Sequence, residues 1–150
     1  MLEIWVDGAC RGNPGPASVG VVIKKAGKLV KEVAKEIGTG TNNIAEYTAL
    51  IYALQEALVL KEEKVKIYTD SELMFKQVTG SYQVKNAQIK LLFDQVKVLL
   101  GGFKHPEIKL VPREHNSEAD KLASGILKTQ AKVVAPLFKI SGEESPNSEG

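Results

Sequence analysis

Apolar and polar positions alternate from the start of the chain. LEIWV (2–6) predicts a strand whose last residue is followed at once by a carboxylate, Asp7, and then by the loop GACRGNPGP. SVGVVIKK (18–25) predicts a second strand and KLVKEVAKEIG (28–38) a third, with a tight turn at Ala26-Gly27. Connections this short require antiparallel neighbours, so the first three strands form a meander. The period then changes. Across TNNIAEYTALIYALQEALVLKEEK (41–64), Ala45, Ala49, Leu50, Ala53, Leu54, Ala57 and Leu58 recur at intervals of three and four, which predicts an amphipathic helix.

The second half alternates strand and helix. VKIYTD (65–70) predicts a strand that again ends in aspartate, and SELMFKQVTG (71–80) a short helix stopped by Gly80. After the connector SYQVK, a longer helix covers AQIKLLFDQVKVLLGG (87–102), a strand covers IKLVP (108–112), and a last helix covers 116–132. Such βαβ order makes these strands parallel and calls for one mixed sheet with helices on its faces. From about Pro136 the periodicity is lost. The expected organisation is one domain over 1–135 and a flexible Ser/Glu/Pro-rich tail over 136–150.

Composition narrows the chemistry. With 43% hydrophobic and 25% charged residues, the chain is ordinary for a soluble globule and long enough to bury a core. One cysteine, Cys10, excludes an internal disulfide framework, and two histidines argue against a multi-histidine metal centre. No basic leader and no apolar stretch near membrane length stands out, so an intracellular, cytoplasmic protein with no membrane partner is expected. Net charge is +2, but the last ten residues hold three glutamates and no base. The first 140 therefore carry 20 basic against 15 acidic residues, or +5, which leaves room for an anion-binding face.

Four acids carry the chemical interest, and each has a structural reading. Asp7 fits an Asp-Gly turn, Glu46 a capping box with Asn43, Asp70 a helix N-cap, and Asp120 a second capping box after Ser117. Together they read differently. Two sit at strand ends and two in first helical turns, positions that open onto one crevice in a parallel sheet. Four clustered carboxylates repel one another unless hard cations neutralise them, and Mg²⁺ prefers such oxygen ligands.

At this point the chain, over roughly residues 1–130, resembles type 1 ribonuclease H. The matching segments are DGACRGNPGPASVG (7–20), TNNIAEYTALIYAL (41–54), YTDSELMFKQVTGSYQVK (68–85) and VPREHNSEADKLA (111–123). The resemblance implies the ribonuclease H-like α/β fold, a five-stranded mixed sheet (three antiparallel strands, then two parallel) with helices on both faces. It also implies an endonuclease that cuts the RNA strand of RNA/DNA hybrids to 5′-phosphate and 3′-hydroxyl ends. Asp7, Glu46, Asp70 and Asp120 fall on the family's metal-binding carboxylates. Two Mg²⁺ ions are implied, with Mn²⁺ able to substitute: Asp7 and Asp70 share both, Glu46 serves the leaving-group side and Asp120 the water side. Gly8, Ala9 and Cys10 match an RNA-contacting loop, Asn13 and Thr41 a pocket for a DNA-strand phosphate, and Asn42 and Asn43 minor-groove contacts. Such contacts read shape, phosphates and 2′-hydroxyls rather than sequence.

The chain departs from the family in three places. The basic, Trp-rich protrusion after the third acid is replaced by GSYQVKNAQ, which holds only Lys85. Glu72 stands where the family usually has Gln at an RNA-backbone contact. The loop before the fourth acid is shortened to PREHNSEA, where Arg113 or His115 takes the place of the family's product-release histidine. A monomer is expected. Trp5 is expected in the core, and Lys24, Lys25, Lys28, Lys31 and Lys35 on a solvated hairpin face. Two alternatives share the scaffold: a hybrid-binding module without catalysis, and a nuclease for another nucleic acid such as double-stranded RNA or branched DNA.

Overall fold

The computed structural model describes residues 1–127. Strands β1 (Leu2–Cys10), β2 (Gly15–Lys25) and β3 (Lys28–Gly40) form the expected antiparallel meander. Helix α1 (Asn42–Val59) leads to β4 (Val65–Thr69), then α2 (Glu72–Val78), α3 (Ala87–Leu100) and β5 (Glu107–Leu110). A 3-10 turn at Arg113–Asn116 runs into α4 over 117–127. The sheet order is β3-β2-β1-β4-β5, with β4 parallel to both β1 and β5. The rest of the expected last helix (128–132), the domain boundary at 135 and the tail (136–150) lie outside the described residues.

Alternation in β1 decides which side holds the core. Leu2, Ile4 and Val6 are fully buried under α1, whose Ala45, Ala49, Ala53 and Ala57 let the helix axis come close to the sheet. Helix α3 packs on α1 through Ile89 and Val96. Helix α4 lies on the opposite face, where the Ser18 hydroxyl donates to the Ala123 carbonyl at 2.6 Å. Among the described residues, no helix is long and apolar enough to cross a membrane.

Several local expectations change. Asp7 is not a turn residue: β1 continues past it to Cys10, because β2 begins at Gly15 and pairs with that extension, placing Gly20 opposite Asp7. Helix α1 is capped by Thr41, whose Oγ1 accepts from the Ile44 amide, rather than by Asn43. Ser71, not Asp70, caps α2 by accepting from Met74. Ser117 is already helical, so it is not the N-cap of α4. In each case the acid is released from its structural reading. Trp5 lies outside the core: it is half-buried on the α4 side of the sheet, stacked on Tyr68. Of the hairpin lysines, Lys24 pairs with Glu118, Lys25 with Glu62 and Lys31 with Glu56.

Candidate active site

At the C-terminal ends of β1 and β4 a cleft of about 660 Å³ opens, bounded by α1, α2 and the start of α4. Asp7 reaches its floor from within β1, and Asp70 from the residue after β4. Glu46 comes from the first turns of α1 and Asp120 from α4. Carboxylate oxygens of Asp7, Glu46 and Asp70 lie within 4.8 Å of one another. Asp120 stands close enough to Asp7 to share a hydrogen bond with it, and it lines the same cleft.

Two close contacts fix this convergence. A Cβ on Gly8 would stand 2.4 Å from the Ala45 carbonyl carbon, so only glycine lets β1 touch the start of α1 here. The Gly8 amide then donates to Glu46 Oε1 at 3.2 Å. On the other side Asn116, almost fully buried, donates its Nδ2 to the Val6 carbonyl at 2.8 Å and to Asp70 Oδ2 at 3.1 Å.

The cluster is electrostatically costly. Burial, reinforced by the charges of Asp70 and Asp120, pushes the Asp7 carboxyl up to about 8. Burial, then the charges of Asp7 and Asp70, hold Glu46 well above the usual carboxylate range. Left alone, such groups keep protons at neutral pH. An all-oxygen donor set that is short of positive charge is what a hard divalent cation requires, so the residues present fit one.

The walls carry most of the other sequence-predicted residues. Gly8, Ala9, Cys10 and Asn13 line one side; Thr41, Asn42 and Asn43 line another. The Asn13 Oδ1 accepts from the Asn42 amide at 3.0 Å, joining the two loops. The Cys10 thiol, 3.1 Å from the Gly40 carbonyl, reinforces that junction. Arg113 also lines the cleft, whereas His115 is exposed outside it. Glu72 faces away too, paired with Lys76 at 2.7 Å one helical turn on. Three further residues escape the sequence reading. Ser71 and Leu73 line the cleft beside Asp70, and Asn116 braces it. The four-residue spacing of Asn116 and Asp120 is the one signal for the last.

Comparison with known proteins gives the family. The sequence matches the family described as reverse transcriptase-like over residues 5–125. It is 41% identical to a Halobacterium salinarum protein named ribonuclease HI over 127 residues, covering 84% of this chain and 64% of that one. The crystal structure of RNase H1 from that halophilic archaeon superposes with a TM-score of 0.83 at 39% identity, covering 85% of this chain and 98% of the other. The chain belongs to the type 1 ribonuclease H family. A ribonuclease H1 solved in complex with an RNA/DNA hybrid is 35% identical with a TM-score of 0.78, covering 83% of this chain and 95% of that one. A bifunctional protein of Mycobacterium tuberculosis is 36% identical across 99% of this chain, which spans only 42% of its length. The type 1 ribonuclease H sheet, with three antiparallel strands followed by two parallel ones, is the one described above.

Proposed function

We propose that this chain hydrolyses the RNA strand of RNA/DNA hybrids. The observation that carries the reading is the cluster of Asp7, Glu46 and Asp70 at the floor of a cleft walled by the GNPGP and TNN loops. A protein that only bound a polyanion would gain nothing from buried carboxylates facing it. The complex of a related ribonuclease H1 with a hybrid supports the same substrate for this chain.

Asp7, Glu46 and Asp70, with Asp120 beside them, would hold two Mg²⁺ ions, for which Mn²⁺ can substitute. Divalent cations there supply positive charge against the scissile phosphodiester and acidify water. The chain's own groups seat the duplex. Backbone groups of Gly8, Ala9 and Cys10 face the RNA strand, Asn13 and Thr41 take a DNA-strand phosphate, and Asn42 and Asn43 lie in the minor groove. Asn43 lines the cleft, and its buried Oδ1 has no hydrogen-bond partner among the described residues. Arg113, at the rim, is placed to meet a departing phosphate. Water adds to phosphorus as the P–O3′ bond breaks, leaving a 3′-hydroxyl upstream and a 5′-phosphate downstream.

A labelled hybrid incubated with the protein and Mg²⁺, beside RNA-only and DNA-only duplexes, tests this. Cleavage confined to the hybrid, with those ends, is expected. Binding without cutting would favour a hybrid-binding module, and preferential cleavage of another duplex would reassign the substrate.

A further inference from the structure

Strands β1 and β4 run parallel, and their pairing stops at Trp5 and Tyr68, the last of four paired positions. The two rings stack across that pair, with centroids 4.8 Å apart and planes 14° from parallel. Lys24 and Lys66 lie over the rings at 5.3 and 5.6 Å. The Tyr68 hydroxyl also donates to Glu3 Oε2 at 2.6 Å, a bond from β4 back to β1. Side chains alternate along a strand. Two positions further on, about 6–7 Å along the chain, the same face therefore presents Asp7 from β1 and Asp70 just beyond β4. Above the rings the two backbones no longer pair. Asn116 enters the gap and bonds the Val6 carbonyl, one residue past the last pair. The aromatic pair thus marks the place where the sheet divides and the cleft begins.

We propose that the Trp5–Tyr68 stack is a positioning device for the acidic site: it fixes where β1 and β4 part, and so sets the spacing of Asp7 and Asp70. The inference rests on the cation-binding reading above. Flat rings in face contact resist sliding in a way that flexible aliphatic side chains do not. The cation in question makes this matter, because Mg²⁺ demands near-ideal octahedral oxygen geometry and tolerates little drift between its carboxylates. Neither ring lines the cleft. Any effect on the site must therefore pass through the strands.

The test uses the full chain without substrate, with Mn²⁺ alone as the probe and its free paramagnetic signal as the readout, alongside thermal melts. Trp5→Leu and Tyr68→Leu are each expected to weaken Mn²⁺ binding by about tenfold. The Mg²⁺ midpoint of hybrid cleavage should rise in parallel, while KM for the hybrid at saturating Mg²⁺ stays unchanged. Tyr68→Phe keeps the ring and should bind Mn²⁺ as the parent does. Leucine variants that melt earlier yet keep the parent's Mn²⁺ affinity would reduce the stack to packing and overturn the proposal. If a leucine variant fails to fold, Trp5→Met, which removes the flat ring but keeps more of its volume, decides instead: weaker Mn²⁺ binding supports positioning, and unaltered binding overturns it. A parent chain that binds Mn²⁺ but cuts no hybrid removes the nuclease reading while the Mn²⁺ measurements still judge the stack. A parent that binds no Mn²⁺ overturns both.

Discussion

The amide of Gly8 donates to the carboxylate of Glu46 at 3.2 Å, tying β1 to α1 across 38 positions of sequence. The bond depends on the absence of a side chain, since a Cβ on Gly8 would meet the Ala45 backbone at 2.4 Å. Gly8→Ala is therefore expected to push α1 away from β1. Overpacking of this kind costs about 1–3 kcal/mol, readable as a lower denaturant midpoint. Cleavage of a hybrid should fall further than stability does, because Glu46 moves with the helix.

Asp70→Asn removes a negative charge from the floor of the cleft and leaves the shape of the side chain. Mg²⁺-dependent cleavage of a hybrid should drop to background while the far-ultraviolet dichroism of the fold is unchanged. A variant that cuts at the parental rate would exclude Asp70 from the site.

The pH dependence of stability follows from Asp7. Its folded-state carboxyl titrates at about 8, well above the range of an exposed aspartate. Between those two values the unfolded chain has released the proton and the folded chain still holds it, so stability falls as pH rises through that window. The slope from this one group is at most about 1.4 kcal/mol per pH unit. Metal-free protein should accordingly melt at a higher temperature near pH 5 than near pH 8, and Asp7→Asn should flatten the difference. Saturating Mg²⁺ should raise the melting temperature most at the alkaline end, where the carboxylates are free to take it.

Asn116 supplies a donor to both the Val6 carbonyl and Asp70. Asn116→Ala leaves two acceptors without it, and a buried acceptor left unpaired costs about 1–3 kcal/mol. Urea denaturation should register that loss, with slower hybrid cleavage beside it. Asn116→Asp, which sets a further negative charge against Asp70, should be the more damaging of the two for cleavage.

Much of this molecule is legible in its sequence. The change from a period of two to intervals of three and four separates the meander from α1, and short turns dictate the antiparallel start. The convergence of the four acids on one cleft is legible as well, although Asp7 lies three residues inside β1 and not at its end. What escaped was local and tertiary. Whether Thr41 or Asn43 caps α1, or Ser71 or Asp70 caps α2, turns on a single hydrogen bond between residues of similar propensity. The extension of β1 through Asp7 to Cys10 comes from its partner β2, which a reading of β1 alone does not contain. Asn116 is polar and ends a 3-10 turn; only its contacts across the fold separate it from a surface asparagine. The place of Trp5 escapes for a related reason, because alternation shows that a side chain faces one side of a sheet without showing which side is covered.

Gly20 lies directly across from Asp7 in β2, and α4 rests on its bare Cα, where a Cβ would come within 2.2 Å of the Ala119 carbonyl. The acid of β1 and the acid of α4 are thus both measured from one backbone point that has no chemistry of its own. Any side chain at that point would lift the helix and shift Asp120 against Asp7 while altering neither. Intolerance to substitution should therefore be as sharp at this silent residue as at the acids themselves, and a survey that ranked positions by reactive groups alone would pass over the datum from which the site is laid out.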